Sequence, residues 1–122
     1  MSRLTDERAR LAAALGAAGV RTTYGGRLSA PCVLVEPAEP WISREALARG
    51  AIESRWRCTA IAARSDTQAA YDELAAMIDT IDGALLTLRG VSLPTWGAPH
   101  DVTLGNTAHP ATIATVLMRS EG

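Results

Sequence analysis

The sequence predicts an α+β domain, a two-layer sandwich in which a mainly antiparallel sheet of about four to five strands carries two helices packed on one face. Three observations predict this class. Residues 54–64 alternate between two faces, as a pleated strand does. Residues 67–86 follow with the apolar spacing of a helix. The Thr- and Val-rich run 111–118 alternates again near the end of the chain.

Length and composition predict one domain, spanning residues 1–122, with enough apolar residues (48%) to form a core. The formal net charge of −1 provides no overall field that would draw the protein to nucleic acid or to a membrane. The charged N-terminal sequence predicts no export signal, and no apolar run approaches the roughly 20 residues of a membrane span. We therefore expect Cys32 and Cys58 to be buried, reduced thiols.

The first third of the chain predicts one helix and two strands. Residues 3–18 have a narrow leucine stripe and form the helix. Residues 20–24 are a short strand, and Gly25-Gly26 marks a turn. The apolar run 32–35 predicts a buried strand that ends at Glu36-Pro37.

Residues 37–53 predict a protruding arm or long loop, because two prolines interrupt the run and no period is sustained. One short helix from Ser43 to Leu47 is expected within it. Trp41 has two interpretations, local packing under the loop or contact with another subunit, since tryptophan is enriched at interface hot spots. The sequence leaves both open.

The central strand has two distinguishable faces. One carries Trp56, Cys58, Ala60 and Ala62, and the other carries Arg55, Arg57, Thr59, Ile61 and Ala63. Both become apolar toward the end of the strand, which predicts a position deep in the sheet. The two arginines that flank Trp56 indicate either an interface or surface stripe or a track along a phosphate backbone.

The second helix is predicted to begin at a capping box formed by Ser65 and Gln68. Its apolar stripe has helical spacing and comprises Ala70, Leu74, Met77, Ile78, Ile81 and Leu85. Glycine disfavours helix interiors, so we predict that the helix ends at Gly83 or at Gly90 and frays between them.

The remaining chain predicts strands joined by short connections. Residues 91–99 contain two prolines and predict an edge strand or loop that holds Trp96. Residues 100–104 form a strand, Gly105-Asn106-Thr107 a turn, and 111–118 the final strand.

Catalytic and metal-binding patterns are missing from the sequence. It contains no GxSxG, P-loop, GxGxxG or CxxC motif. His100 and His109 lack a third ligand at a suitable spacing. Cys32 and Cys58 are possible neighbours across two strands, but no histidine partner is indicated for a catalytic thiol. We therefore predict no enzyme, no cofactor and no metal, and no catalytic residue is assigned.

Three segments carry a resemblance to a known family. They are Pro31–Pro37 (PCVLVEP), Arg55–Cys58 (RWRC) and Ala69–Asp79 (AAYDELAAMID), followed by a glycine-containing turn and a Thr/Val-rich last strand. In this order they resemble small siphophage tail proteins of the tail-terminator, or tail-completion, type. The resemblance covers nearly the whole length and lies in layout. Head–tail connector proteins have a similar size and style.

The resemblance implies a virion structural protein of the tail or neck that is assembled in the host cytoplasm. Such proteins form a ring, commonly a hexamer, that caps the tail tube and docks it to the head. Implied partners are further copies of the chain, the tail tube protein and the head-completion or connector protein. DNA would pass through the central opening of the ring only transiently, and no membrane is involved.

A head-to-tail ring needs two different complementary surfaces on each subunit. The residues predicted to lie at subunit contacts are Trp41, Arg55, Trp56, Arg57 and Trp96.

Alternatives to the tail terminator are a head-closure or neck connector protein of the same particle and a non-phage, small α+β oligomeric binding module. A small enzyme with an unrecognised site is disfavoured, because no set of titratable residues converges.

Overall fold

The computed structural model describes residues 3–23, 30–43, 51–63 and 67–120. The elements, in order, are α1 (Arg3–Ala17), β1 (Thr22–Thr23), β2 (Cys32–Ser43), β3 (Ile52–Ile61), α2 (Thr67–Leu85), β4 (His100–Leu104) and β5 (Thr107–Ser120). The predicted α+β class is confirmed, and the order of helices and strands agrees with the prediction.

The strands form one sheet in the order β1-β2-β3-β5-β4. β1 is parallel to β2, and every other pairing is antiparallel. β3 and β5 are long and lie at the centre, where Trp56 is opposite Val116. The register of these two strands therefore decides which side chains share a face.

One face of the sheet packs against the helices and is called the helix face. It carries Trp56, Cys58, Ala60 and Ala62 of β3, as the alternation predicted. The main core adds the following residues from the helices and neighbouring strands: Leu11, Leu15, Val33, Val35, Ala70, Leu74, Ile81, Ala84, Leu85, Val116 and Met118. Burial of these large apolar side chains, each worth about 1.5–3 kcal/mol, holds the helices on the sheet.

The opposite side of the sheet is called the outer face, and one end of it carries a second, smaller cluster. Cys32, Ile61 and Ala111 are buried there, with Val102 and Leu104 packed against them. The end of β3 is thus buried on both faces, which confirms the prediction from its two apolar sides.

The two cysteines lie on opposite faces of the sheet. Cys32 is paired with Ile61 on the outer face, whereas Cys58 is paired with Val35 on the helix face. Both are buried and neither forms a disulfide, and they are not the cross-strand neighbours that the sequence left possible.

The predicted end of β2 at Glu36-Pro37 is wrong, because the strand continues to Ser43. Of the two alternatives for residues 37–43, an arm or a long loop, the loop is excluded. Prolines are tolerated here because, among the described residues, β1 pairs with Val33 and Leu34 and no strand pairs with the rest of that side of β2. A register shift between Pro37 and Ile42 absorbs the extra residues. Residues 52 and 53 of the predicted arm belong to β3.

Three predictions concern residues that the structure does not describe. The helix expected from Ser43 to Leu47 lies largely in 44–50, the turn at Gly25-Gly26 lies in 24–29, and the cap at Ser65 lies in 64–66; all three segments are outside the described residues.

α2 passes through Gly83 and ends at Leu85, so neither glycine is the stop. The helix gives way to turns between Gly83 and Gly90, where the tail was predicted to fray. Ala84 and Leu85 are buried in the main core, and their burial outweighs the cost of about 1 kcal/mol for glycine in a helix. Gly90 instead forms the later turn, with φ of 78°.

Pro110 lies inside β5, where a proline removes one sheet hydrogen bond. The Ala62 N–H donates to the Pro110 carbonyl at 2.9 Å, but Pro110 has no N–H to return to the Ala62 carbonyl. Nδ1 of His109 lies 3.0 Å from that carbonyl oxygen and supplies the missing donor. His109 therefore has a structural partner in the sheet.

Candidate interaction surface

Within the described ranges, no group of three or more His, Cys, Asp or Glu side chains is placed to hold a metal ion. No described helix is both long enough and apolar enough to cross a membrane. His100 is exposed on an edge strand, and His109 is bonded to the backbone. Two partly apolar surfaces lie at the end of the sheet formed by the first half of β3.

A buried polar network positions the aromatic residues at this end. Nε1 of Trp56 donates to Oγ of Ser54 at 3.0 Å, and Ser54 donates to Oε2 of Glu7 in α1. Glu7 and Ser54 are both buried, and Oε1 of Glu7 has no hydrogen-bond partner in the part of the chain that the structure describes. The network joins α1 to β3 and holds the indole of Trp56 in one orientation.

Trp56 is a core residue, with only 2% of its surface exposed. Its predicted place at a subunit contact is therefore corrected, because a side chain buried in the main core cannot reach a partner. Arg55 and Arg57 flank Trp56 in the sequence and suggested a surface position. Side chains alternate along a strand, however, so the two arginines lie on the opposite face.

Trp41 lies at the β2 edge and packs edge to face against Trp56, with ring centroids 5.7 Å apart and planes at 86°. It remains 40% exposed, which is unusual for so large an apolar side chain. Glu39, two residues earlier, is also exposed. We call Glu39, Trp41 and Ile42 the β2 patch.

A groove lies at the opposite edge, between β5 and the segment 91–97. Val91 bridges to Met118 and Trp96 to Ala114, so four residues of the segment (92–95) stand opposite three of β5 (115–117). The longer side bulges away and leaves a cavity of about 500 Å³ lined by Leu93, Pro94, Ile113, Thr115 and Leu117, among others.

A second cavity, of about 280 Å³, continues this groove. It shares Ser92 and Leu117 with the first and extends to Glu53 and Arg119. We call the two cavities together the β5 groove. One end is apolar, with Leu93 50% exposed, and the other is charged, with the Arg119 side chain 56% exposed.

Trp96 is half-buried and belongs to the wall of the β5 groove. Its Nε1 donates to Oδ1 of Asp82 in α2 at 3.1 Å, and the ring packs against the main core. The N–H is therefore used within the chain. Trp96 supports the groove rather than projecting from it.

Arg55 and Arg57 lie on the outer face, and each pairs with a carboxylate of its own chain. Arg55 bonds Glu53 at 3.0 Å, and Arg57 bonds Glu36 at 3.0 Å across the strands. Arg119 also approaches Glu53, at 3.5 Å. These intrachain pairs oppose the interpretation of Arg55 and Arg57 as a phosphate track. Partly exposed pairs contribute only about 0–1 kcal/mol each.

The β2 patch and the β5 groove lie at opposite edges of the same end of the sheet, because β3 and β5 separate them. Sequence reasoning found Trp41 and Trp96 but not the groove. Its only signal was the apolar pair Leu93-Pro94, since the bulge arises from bridges between residues that are 18 and 27 positions apart.

No protein-family model matches the chain, and no curated protein is detectably similar to it. The fold and the surfaces by themselves define a small α+β domain with two unlike, partly apolar edges.

Proposed function

We propose that this protein is a virion structural protein, the subunit of a head-to-tail ring of the tail-terminator type. The ring caps the tail tube and docks it to the head. Its partners are further copies of the chain, commonly six in all, together with the tail tube protein and a head-completion or connector protein. DNA contacts the ring only in passing.

The observation that carries the proposal is the placement of two different apolar surfaces at opposite edges of one sheet. A subunit that joins its copies through two unlike surfaces forms a heterologous contact, which closes into a ring or extends as a filament. A two-fold dimer would instead use a single self-complementary surface. The resemblance of the chain's layout to tail terminators agrees with the ring.

Self-association of the purified full-length protein tests the proposal. We expect sedimentation velocity to show a concentration-dependent closed oligomer and negative-stain images to show rings of uniform diameter. Added to tail tubes of the same phage, the rings should bind at one end and stop their growth.

A protein that remains monomeric at every concentration, or that turns over a small molecule, contradicts the proposal. A stable dimer that binds a defined partner without any virion component favours the binding-module alternative. Rings that bind the portal or neck but leave the tail tube unaffected favour the head-closure connector.

A further inference from the structure

We propose that Trp41 of one copy inserts into the β5 groove of a neighbouring copy, beside Leu93 and Leu117, and that Glu39 of the first copy then faces Arg119 of the second. The proposed function requires only that copies associate, and this inference specifies the contact through which they do so.

Trp41 is a pre-organised anchor. Its ring rests edge to face on Trp56, and the buried network of Ser54 and Glu7 fixes Trp56 in turn. An aromatic side chain held in one position loses little conformational entropy on binding, which is the usual property of an interface hot spot. Trp41 nevertheless leaves 40% of its surface in water.

The β5 groove is a suitable receptor because it is concave and apolar at one end. Its larger cavity of about 500 Å³ has Leu93 and Pro94 on one wall and Ile113 and Leu117 of β5 on its floor. Tryptophan buries about 150–250 Å² when it is enclosed, so filling this cavity would remove both Trp41 and Leu93 from water.

The charges of the two edges are complementary. Glu39 is exposed beside Trp41 and has no ion pair within the described parts of the chain. Arg119 lines the charged end of the groove, where it approaches Glu53 at 3.5 Å, and its side chain is still 56% exposed. Glu39 and Trp41 on the patch are two residues apart in the sequence, and so are Leu117 and Arg119 in the groove, so the members of each pair are near neighbours.

Disulfide trapping between two different chains tests the contact. W41C protein is mixed with L93C protein, oxidised, and compared with a mixture of W41C and L86C. Leu86 is the matched control because it is also an exposed leucine, at 70%, but lies just after α2 and outside the groove. The native Cys32 and Cys58 are buried in every sample.

We expect the W41C and L93C mixture to give at least a fivefold higher yield of heterodimer than the W41C and L86C mixture. Equal yields from a protein that does form oligomers would overturn the inference and leave the proposed ring intact. A monomer at every concentration would overturn the ring and this contact together.

A charge exchange provides a second test that requires no cysteine. E39R should weaken self-association about tenfold, and the double variant E39R/R119E should recover most of that loss. D79R is the matched control, since it makes the same charge change at an exposed position of α2. Circular dichroism checks folding. Equal affinities for E39R and D79R would overturn the contact.

Discussion

Ser54 lies at the centre of the buried network, because its hydroxyl accepts a hydrogen bond from Trp56 and donates one to Glu7. It is fully buried on β3. Each polar group that loses its partner in such a site costs about 1–3 kcal/mol. At the residue scale, a single hydroxyl therefore influences both the docking of α1 and the orientation of the aromatic pair.

We predict that Ser54→Ala lowers the free energy of unfolding by about 2–4 kcal/mol, because Glu7 and Trp56 both lose a partner. Ser92→Ala, the same change at an exposed position, should remain within about 0.5 kcal/mol of the native protein. Urea unfolding of the three proteins measures the difference. Equal midpoints would show that the network contributes nothing to stability.

Cys58 is enclosed in the main core, and burial raises the pKa of its thiol from 9.0 to about 12. The folded state therefore favours the protonated thiol. The stabilisation that comes from keeping the Cys58 thiol protonated in the folded state is complete below pH 9.0. It is lost as the pH rises from 9.0 to about 12.

Between pH 9.0 and about 12 we predict that the native protein loses unfolding free energy faster than Cys58→Ala does. The expected difference in slope is about 1.4 kcal/mol per pH unit, the value for one proton. Urea titrations of both proteins at several pH values measure it. Parallel curves would contradict the assignment.

Two glycines show how the same residue type acts differently in two elements. Gly83 lies inside α2, is exposed, and has no atom within 4 Å of the position that a Cβ would occupy. Gly90 forms the turn after that helix, with a positive φ of 78°, and a Cβ there would lie 3.0 Å from the Arg119 carbonyl oxygen. The first site only weakens a helix, whereas the second requires glycine.

We predict effects of opposite sign for the two alanine substitutions. Gly83→Ala should stabilise the protein by about 0.5–1 kcal/mol, because alanine is the better helix former. Gly90→Ala should destabilise it by about 1–3 kcal/mol through backbone strain and the contact with β5. Thermal unfolding of the two variants provides the measurement, and effects of the same sign would contradict this account of the helix end.

Considered as a whole molecule, the chain carries 12 basic and 13 acidic side chains. The arginines of the outer face are paired with Glu36 and Glu53 of their own chain. Electrostatic attraction to phosphate, which supplies most non-specific DNA affinity, is therefore small.

We predict that the protein binds duplex DNA with a Kd weaker than about 10⁻⁴ M at physiological salt. Fluorescence anisotropy with a labelled duplex measures the affinity. A variant with Glu36→Gln and Glu53→Gln frees the outer-face arginines and should bind more tightly, with a steeper dependence on salt. Micromolar binding by the native protein would contradict the prediction and favour a direct role in holding DNA.

Local patterns predicted most of the fold because the signals that define its elements are local. The alternation of residues 54–64 identified the buried side of β3, and the helical stripe identified the side of α2 that carries Ala70, Leu74 and Ile81. The candidate surfaces were less predictable. Trp41 and Trp56 were both predicted at subunit contacts, yet Trp41 is 40% exposed and Trp56 is enclosed in the main core.

By itself the sequence determined the α+β class, the order of the elements and the alternation of side chains along β3 and β5, since hydrophobic periodicity depends only on neighbouring residues. Only the tertiary structure decided that β2 continues through its prolines as an edge strand, that Trp56 is enclosed, and that a groove opens beside β5. Each of these depends on which strand lies alongside, and pairing between distant residues is set by the register of the whole sheet.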